Sequence, residues 1–329
     1  MSVMRIFRQL TARYWRNVSG HCLGAYSDSM DKVFSARVLF CVVVFSSALF
    51  AQTSATEKTY VGVLDDAREE MVNWKPGVAQ ERVVRPIFEK TASGWEELDK
   101  ASSPSSISWT VAFDGKNLGS VETQATSAKG FTPVQKILTP QSVIPSVGAP
   151  SQQFAGLLGL GGETKVRRPL IVVSKPYFHD PDGWKRTKLP DDIALLVLKA
   201  FRHDYPHIDR CKDEEIAQRD WKFPDSALSF PIAYVSNKQS FLVKASLEAG
   251  DCGYVGQPDD PESEPWFFVS SERTVRRIGS FLTLLDAGDY DNDGRSEVMF
   301  VLSQGENTDG FVLFDATFEK PVIVTWNYH

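Results

Sequence analysis

The sequence predicts a mainly β protein built from antiparallel sheets, with one principal amphipathic helix near residues 190–204. Three observations carry that prediction. Short segments in which large apolar residues fall on every second position recur along the chain, and a period of two is that of a strand burying one face. Turn-forming residues join neighbouring segments in the manner of hairpins. Only one stretch keeps the 3.6-residue period of a helix over several turns.

The first hairpin runs through Ile107-Ser108-Trp109-Thr110-Val111-Ala112-Phe113, turns at Asp114-Gly115-Lys116-Asn117 and returns through Leu118 to Val121. Leu170 to Ser174 is a further strand. The helix opens at Pro190-Asp191-Asp192, a proline followed by two acids that complement the helix dipole. Ile193, Leu196, Val197, Ala200 and Phe201 form its apolar stripe, and Pro206 ends it. A second hairpin joins Ile232 to Val235 and Ser240 to Val243 through Ser236-Asn237-Lys238-Gln239. Trp266 to Ser270 follows. Phe281 to Leu285, Val298 to Leu302, Phe311 to Phe314 and Val322 to Trp326 then suit a four-stranded antiparallel sheet, the size of one propeller blade. Both an irregular propeller-like arrangement and a pair of β subdomains satisfy this pattern.

Residues 1–51 read as a signal-peptide region, with translation expected to begin at Met30. Lys32 and Arg37 precede the apolar run Val38 to Phe45, and Ser46-Ser47-Ala48 and Ala51 supply small residues for cleavage near Gln52. That run is short of the roughly 20 residues a bilayer span needs. Beyond it, residues 52–138 form an N-terminal β-rich region. Residues 139–165, rich in Pro, Gly, Ser and Gln, read as a linker, and 166–329 as a C-terminal β-rich region.

Charge excludes some functions. The net charge of −6 over 329 residues argues against a generally basic nucleic-acid binder. Removing residues 1–51 takes six basic and two acidic side chains and leaves a net of −10. Cys22 and Cys41 leave with that segment. Cys211 and Cys252 remain, a candidate disulfide in an oxidising compartment and otherwise two separate thiols. No Asn-x-Ser/Thr sequon follows residue 51, which favours a periplasmic or secreted bacterial protein.

The chemical signal is Asp286-Ala287-Gly288-Asp289-Tyr290-Asp291-Asn292-Asp293-Gly294-Arg295-Ser296-Glu297. Asp289, Asp291 and Asp293 alternate, a glycine follows, and Glu297 is the next acid. Four carboxylates this close repel one another unless a cation compensates them. Calcium suits them, being a hard ion that takes six to eight oxygens in flexible geometry. The backbone carbonyl of Arg295 can fill the position between Gly294 and Glu297. An EF-hand is excluded, because counting from Asp289 puts Phe300 where its twelfth-position glutamate belongs.

These residues resemble an FG-GAP (VCBS-type) repeat, the calcium-loop blade of integrin-like β-propellers. The likeness spans Leu284 to Phe314. It rests on Gly288-Asp289, Asp291, Asp293-Gly294 and Glu297, then on Val298-Met299-Phe300-Val301 and Asp309-Gly310-Phe311-Val312-Leu313-Phe314-Asp315. It implies calcium ligands at Asp289, Asp291, Asp293, Arg295 (carbonyl) and Glu297. Leu302-Ser303-Gln304 replaces the family's Gly-Ala-Pro, and Ile278-Gly279-Ser280 its leading Phe-Gly. One loop is intact; His179-Asp180-Pro181-Asp182-Gly183-Trp184 lacks the first acid of a second, and Arg186 takes its ninth position.

Other signals are weaker. His203, His207 and Cys211 have helical spacing for zinc, but Pro206 interrupts the helix. Gly156 to Gly162 lacks the order of a phosphate loop, and neither G-x-S-x-G nor H-E-x-x-H occurs. The expectation is therefore an exported calcium-binding module that binds or scaffolds without catalysis. Its partner would be a protein or carbohydrate, not nucleic acid, and no membrane span would remain after signal cleavage. The alternative is an exported hydrolase with an acidic cleft and a structural calcium ion, which requires His179, Asp180 and Asp182 to converge with other titratable groups in a pocket.

Overall fold

The structure, a computed structural model, describes residues 58–66, 82–126, 132–138, 169–175, 179–206, 208–210, 218–221, 223–247, 264–303 and 308–327. The signal-peptide region, the 139–165 segment, His207, Cys211 and Cys252 lie outside them. The described residues are mainly β, with antiparallel sheets and one α-helix. In chain order the elements are β1 (Thr59–Asp66), β2 (Arg82–Thr91), β3 (Gly94–Glu97), β4 (Ser106–Phe113), β5 (Lys116–Ala125), β6 (Gln135–Ile137), β7 (Leu170–Val173) and β8 (Lys185–Arg186). Then come α1 (Asp191–Asp204), β9 (Ile208–Arg210), β10 (Gln218–Trp221), β11 (Leu228–Val235), β12 (Phe241–Leu247), β13 (Trp266–Val269), β14 (Val275–Gly279), β15 (Leu282–Gly288), β16 (Glu297–Ser303), β17 (Thr308–Phe314) and β18 (Val322–Asn327).

The first sheet closes on itself. Its order is β1-β7-β4-β5-β6-β2, and β2 pairs again with β1, while β3 adds to the free part of the β2 edge. Strand alternation decides what fills this small barrel. Leu64, Val84, Trp109, Val111, Val121, Ile137, Leu170 and Val172 point inward. The Trp109 indole Nε1–H donates to Thr123 Oγ1 at 3.0 Å and Gln135 Oε1 at 2.8 Å, so the buried polar atoms find partners inside the ring. The β4–β5 turn is the two-residue loop Asp114-Gly115, with φ of 53° and 66°. Right-handed strand twist favours this left-handed pair, and glycine adopts it without strain.

The strands β15 to β18 form the expected blade-sized meander, paired in sequence order. Its two faces serve different cores, which explains why β16 is apolar at nearly every position. Met299, Phe311, Leu313 and Val324 pack with Val61, Val63, Phe88, Ala112 and Val173 on the outside of the barrel. Val298, Phe300, Leu302, Val312 and Phe314 pack instead with Tyr234, Leu242, Trp266 and Phe268. The latter belong to a five-stranded sheet ordered β14-β13-β12-β11-β8. Its far face is covered by α1, whose Ile193, Val197 and Phe201 meet Val235, Val243, Phe267 and Val269. The layers therefore run barrel, C-terminal sheet, five-stranded sheet, helix. Strands β9 and β10 pair separately.

Candidate metal centre

The acidic loop Asp289–Ser296 joins β15 to β16 at one end of the central sheet. Its own carboxylates organise it. Asp289 Oδ1 accepts the Asp293 N–H at 2.9 Å, and Asp289 Oδ2 accepts the Gly294 N–H at 2.9 Å. Asp291 Oδ1 also accepts from Asp293 N, at 3.2 Å. Closing the loop so tightly requires left-handed backbone at Asn292 (φ 62°) and Gly294 (φ 84°); asparagine tolerates that region and glycine adopts it freely. At the far end Glu297 Oε2 accepts the Tyr290 N–H at 2.7 Å, and the Tyr290 ring is fully buried in the core against the barrel.

These bonds bring one oxygen each from Asp289, Asp291 and Glu297 within 4.8 Å of one another. Oxygens around a single calcium ion, at about 2.3–2.6 Å from it, spread over such a distance. The three residues therefore fit one hard cation. Asp293 is not in this group. Its Oδ1 accepts the Arg295 N–H at 2.9 Å, and its Oδ2 pairs with the Arg295 guanidinium at 2.8 Å, on the exposed side of the loop. Arg295 points its side chain at Asp293.

Glu297 is the least comfortable charge. It is 2 % exposed, and burial pushes its carboxyl up to about 8, with the neighbouring Asp291 and Asp293 charges adding to the effect. The Tyr290 N–H and the Trp95 indole oppose the rise. Trp95, itself 9 % exposed, directs its Nε1–H toward Glu297 without closing a well-formed hydrogen bond. Burial also raises Asp289, although the Gly294 and Asp293 N–H groups pull it down and the Asp291 and Asp293 charges raise it further. Asp293 differs. Burial alone would raise it, but hydrogen bonding to Arg295 and the charges of Arg295 and Lys90 outweigh that and lower it.

Two other parts of the chain buttress the loop. Lys90, near the end of β2, places Nζ 2.7 Å from Asp291 Oδ2 and 5.1 Å from the centre of the Trp95 ring on β3. The second acidic segment, His179 to Trp184, packs on the other side. The His179 carbonyl accepts the Asp289 N–H at 2.7 Å. Ser296 Oγ donates to Asp180 Oδ1 at 2.5 Å and accepts from the Asp182 N–H at 3.1 Å. Asp180 also accepts from Gly183 N and Trp184 N, and Lys238 meets Asp182 Oδ1 at 2.7 Å. Asp180 is raised mainly by burial, against the pull of these donors. From the barrel, the Gly115 N–H reaches Asp286 Oδ1 at 3.0 Å.

The His179 carbonyl and the side chains of Asp180 and Asp182 thus converge on the acidic loop, with Asp180 and Asp182 held in loop-to-loop bonds. His203 lies in the last turn of α1, largely exposed, beside Asp204. Sequence reasoning missed Lys90, Trp95 and Ser296. Lys90 and Trp95 stand about 200 residues from the loop in an unremarked strand pair, and no local spacing could have flagged them. Comparison with protein-family models, with curated proteins and with solved structures finds no match to this chain.

Proposed function

We propose that this protein is an exported calcium-binding β module that binds or scaffolds a partner without catalysis. One observation carries the reading. Oxygens of Asp289, Asp291 and Glu297 lie within 4.8 Å of one another, and Glu297 is buried where a bare carboxylate is costly. A divalent cation answers both facts, neutralising the cluster and offsetting the cost of the buried Glu297 charge. The likeness of the loop to an FG-GAP repeat names calcium as that cation.

The ion's role is mechanical. Glu297 begins β16 and Asp289 follows β15, so an ion held between them closes the hairpin at the head of the central sheet. That sheet packs on the barrel by one face and on the five-stranded sheet by the other. Binding there stabilises the folded unit as RT ln(1 + [L]/Kd), about 2.7 kcal/mol at a hundredfold excess of calcium over Kd. The hydrolase alternative needs carboxylates able to meet a substrate, whereas both oxygens of Asp180 already accept hydrogen bonds from Ser296, Gly183 and Trp184. Export, a protein or carbohydrate partner and a Cys211–Cys252 disulfide belong to the same reading. Calorimetric titration of the purified protein tests its centre, with calcium binding in the range of about 10⁻⁴–10⁻³ M expected for an extracellular module. Melting that is indifferent to chelator and to millimolar calcium overturns it.

A further inference from the structure

We propose that Lys90 is a built-in competitor for the metal, a tethered cation that occupies Asp291 until calcium displaces it. This inference rests on the calcium reading and concerns how that site is regulated. Of the cluster's acids, Asp291 is the one whose charge is met from outside the loop. One of its oxygens accepts from the Asp293 N–H, and the other lies 2.7 Å from Lys90 Nζ. The Asp291 side chain is 7 % exposed, so the contact is poorly screened by water. An ion that draws on Asp291 must contend with that ammonium for the same carboxylate and with its positive charge at close range.

The geometry suits a gate. Lys90 sits on β2 directly across from Trp95 on β3, and its ammonium lies over the indole face. Trp95 in turn sends its N–H toward Glu297. The β2–β3 hairpin therefore presents two groups to the loop, a charge on Asp291 and a dipole toward Glu297. Lys90 is 30 % exposed and reaches the loop on a flexible four-carbon stem. It can leave Asp291 for solvent without disturbing the barrel strand that carries it. Without metal it holds the barrel against the loop; with metal the ion holds the loop and the lysine is released. The apparent affinity for calcium is then lowered by the fraction of molecules in which Lys90 occupies the carboxylate.

Calcium titration by calorimetry of wild type, Lys90→Met, Lys90→Gln and Lys90→Arg tests this. Met keeps the apolar stem over Trp95, Gln keeps polarity, and Arg keeps the charge. The neutral variants should bind calcium roughly tenfold more tightly than wild type, while Lys90→Arg stays close to it. A second readout needs no variant. The amine of Lys90 in the wild-type protein should react faster with a mild acylating reagent when calcium is present, as measured by peptide mass spectrometry. Neutral variants that bind no more tightly than wild type, or a Lys90 labelling rate blind to calcium while wild type binds it, overturn the competitor role and leave the metal site standing. Failure of wild type and both neutral variants to bind calcium removes the site itself. Binding by the neutral variants alone shows Lys90 to be a complete lock.

Discussion

Replacing Glu297 with glutamine isolates the charge that makes the proposed calcium site costly when empty. The amide keeps the shape of the side chain and its acceptor for the Tyr290 N–H. In the metal-free protein the Glu297 carboxyl moves from an ordinary 4.5 to about 8. Because the folded value lies above the unfolded one, the native state keeps a proton that the unfolded chain has lost across that interval. The stabilising contribution is complete below about 4.5 and is lost as pH rises through about 8. At about 1.4 kcal/mol per pH unit this amounts to on the order of 5 kcal/mol. For a folded unit of this size, each kcal/mol moves the melting temperature by about 2–4 °C. Melting curves in chelator, taken from pH 5 to pH 9, should therefore show Glu297→Gln close to wild type at pH 5. At pH 9 the variant should melt roughly 10 °C or more above wild type. Saturating calcium should erase most of the wild-type deficit at pH 9 and do much less for the variant. A gap between the two proteins that is the same at pH 5 and pH 9 would refute the reasoning, since it would mean that Glu297 does not titrate in this environment.

Other outcomes follow from single contacts. Asp291→Asn should abolish the calcium-dependent rise in melting temperature, as differential scanning calorimetry with and without calcium would show. Ser296→Ala removes a donor to Asp180 and an acceptor for the Asp182 N–H, and should cost about 1–3 kcal/mol in urea unfolding at unchanged m-value. Trp109→Phe leaves Gln135 and Thr123 inside the barrel without the indole N–H and should cost a similar amount. An effect below about 0.5 kcal/mol would show that water has entered in its place.

What could be read from the chain follows the locality of each signal. The strands of the C-terminal sheet show as apolar clusters between turn residues, and α1 shows as one clean 3.6-residue stripe with acids at its start. The Asp114-Gly115 turn announces its hairpin because the turn chemistry is confined to two residues. Strand β2 hides, since Arg85 is buried in it and Pro86 stands where its pairing with β1 shifts register. Strand β14, Val-Arg-Arg-Ile-Gly, is a half-buried edge that alternates no hydrophobic face. The acidic loop was legible because its four clustered carboxylates fall within nine consecutive residues. Its surroundings were not: Ser296 meets Asp180 across 116 positions, and Lys90 meets Asp291 across a longer separation still. Spacing also puts Asp293 among the candidate ligands, and it could not show that its carboxylate pairs with the Arg295 side chain.

The closed barrel has a consequence for how the chain must be made. Strand β7 is the piece that lies between β1 and β4, and it comes last of the six in the sequence. A growing or threading polypeptide that ends before Leu170 leaves the facing edges of β1 and β4 bare, each a row of unsatisfied peptide groups ready to recruit a strand from another molecule. The first half of the protein therefore cannot finish folding as it emerges. It waits for a four-residue strand, Leu170 to Val173, that arrives more than a hundred residues after β1. Such late, long-range closure makes folding slow and leaves the nascent chain dependent on being held apart from its neighbours until the seam is shut.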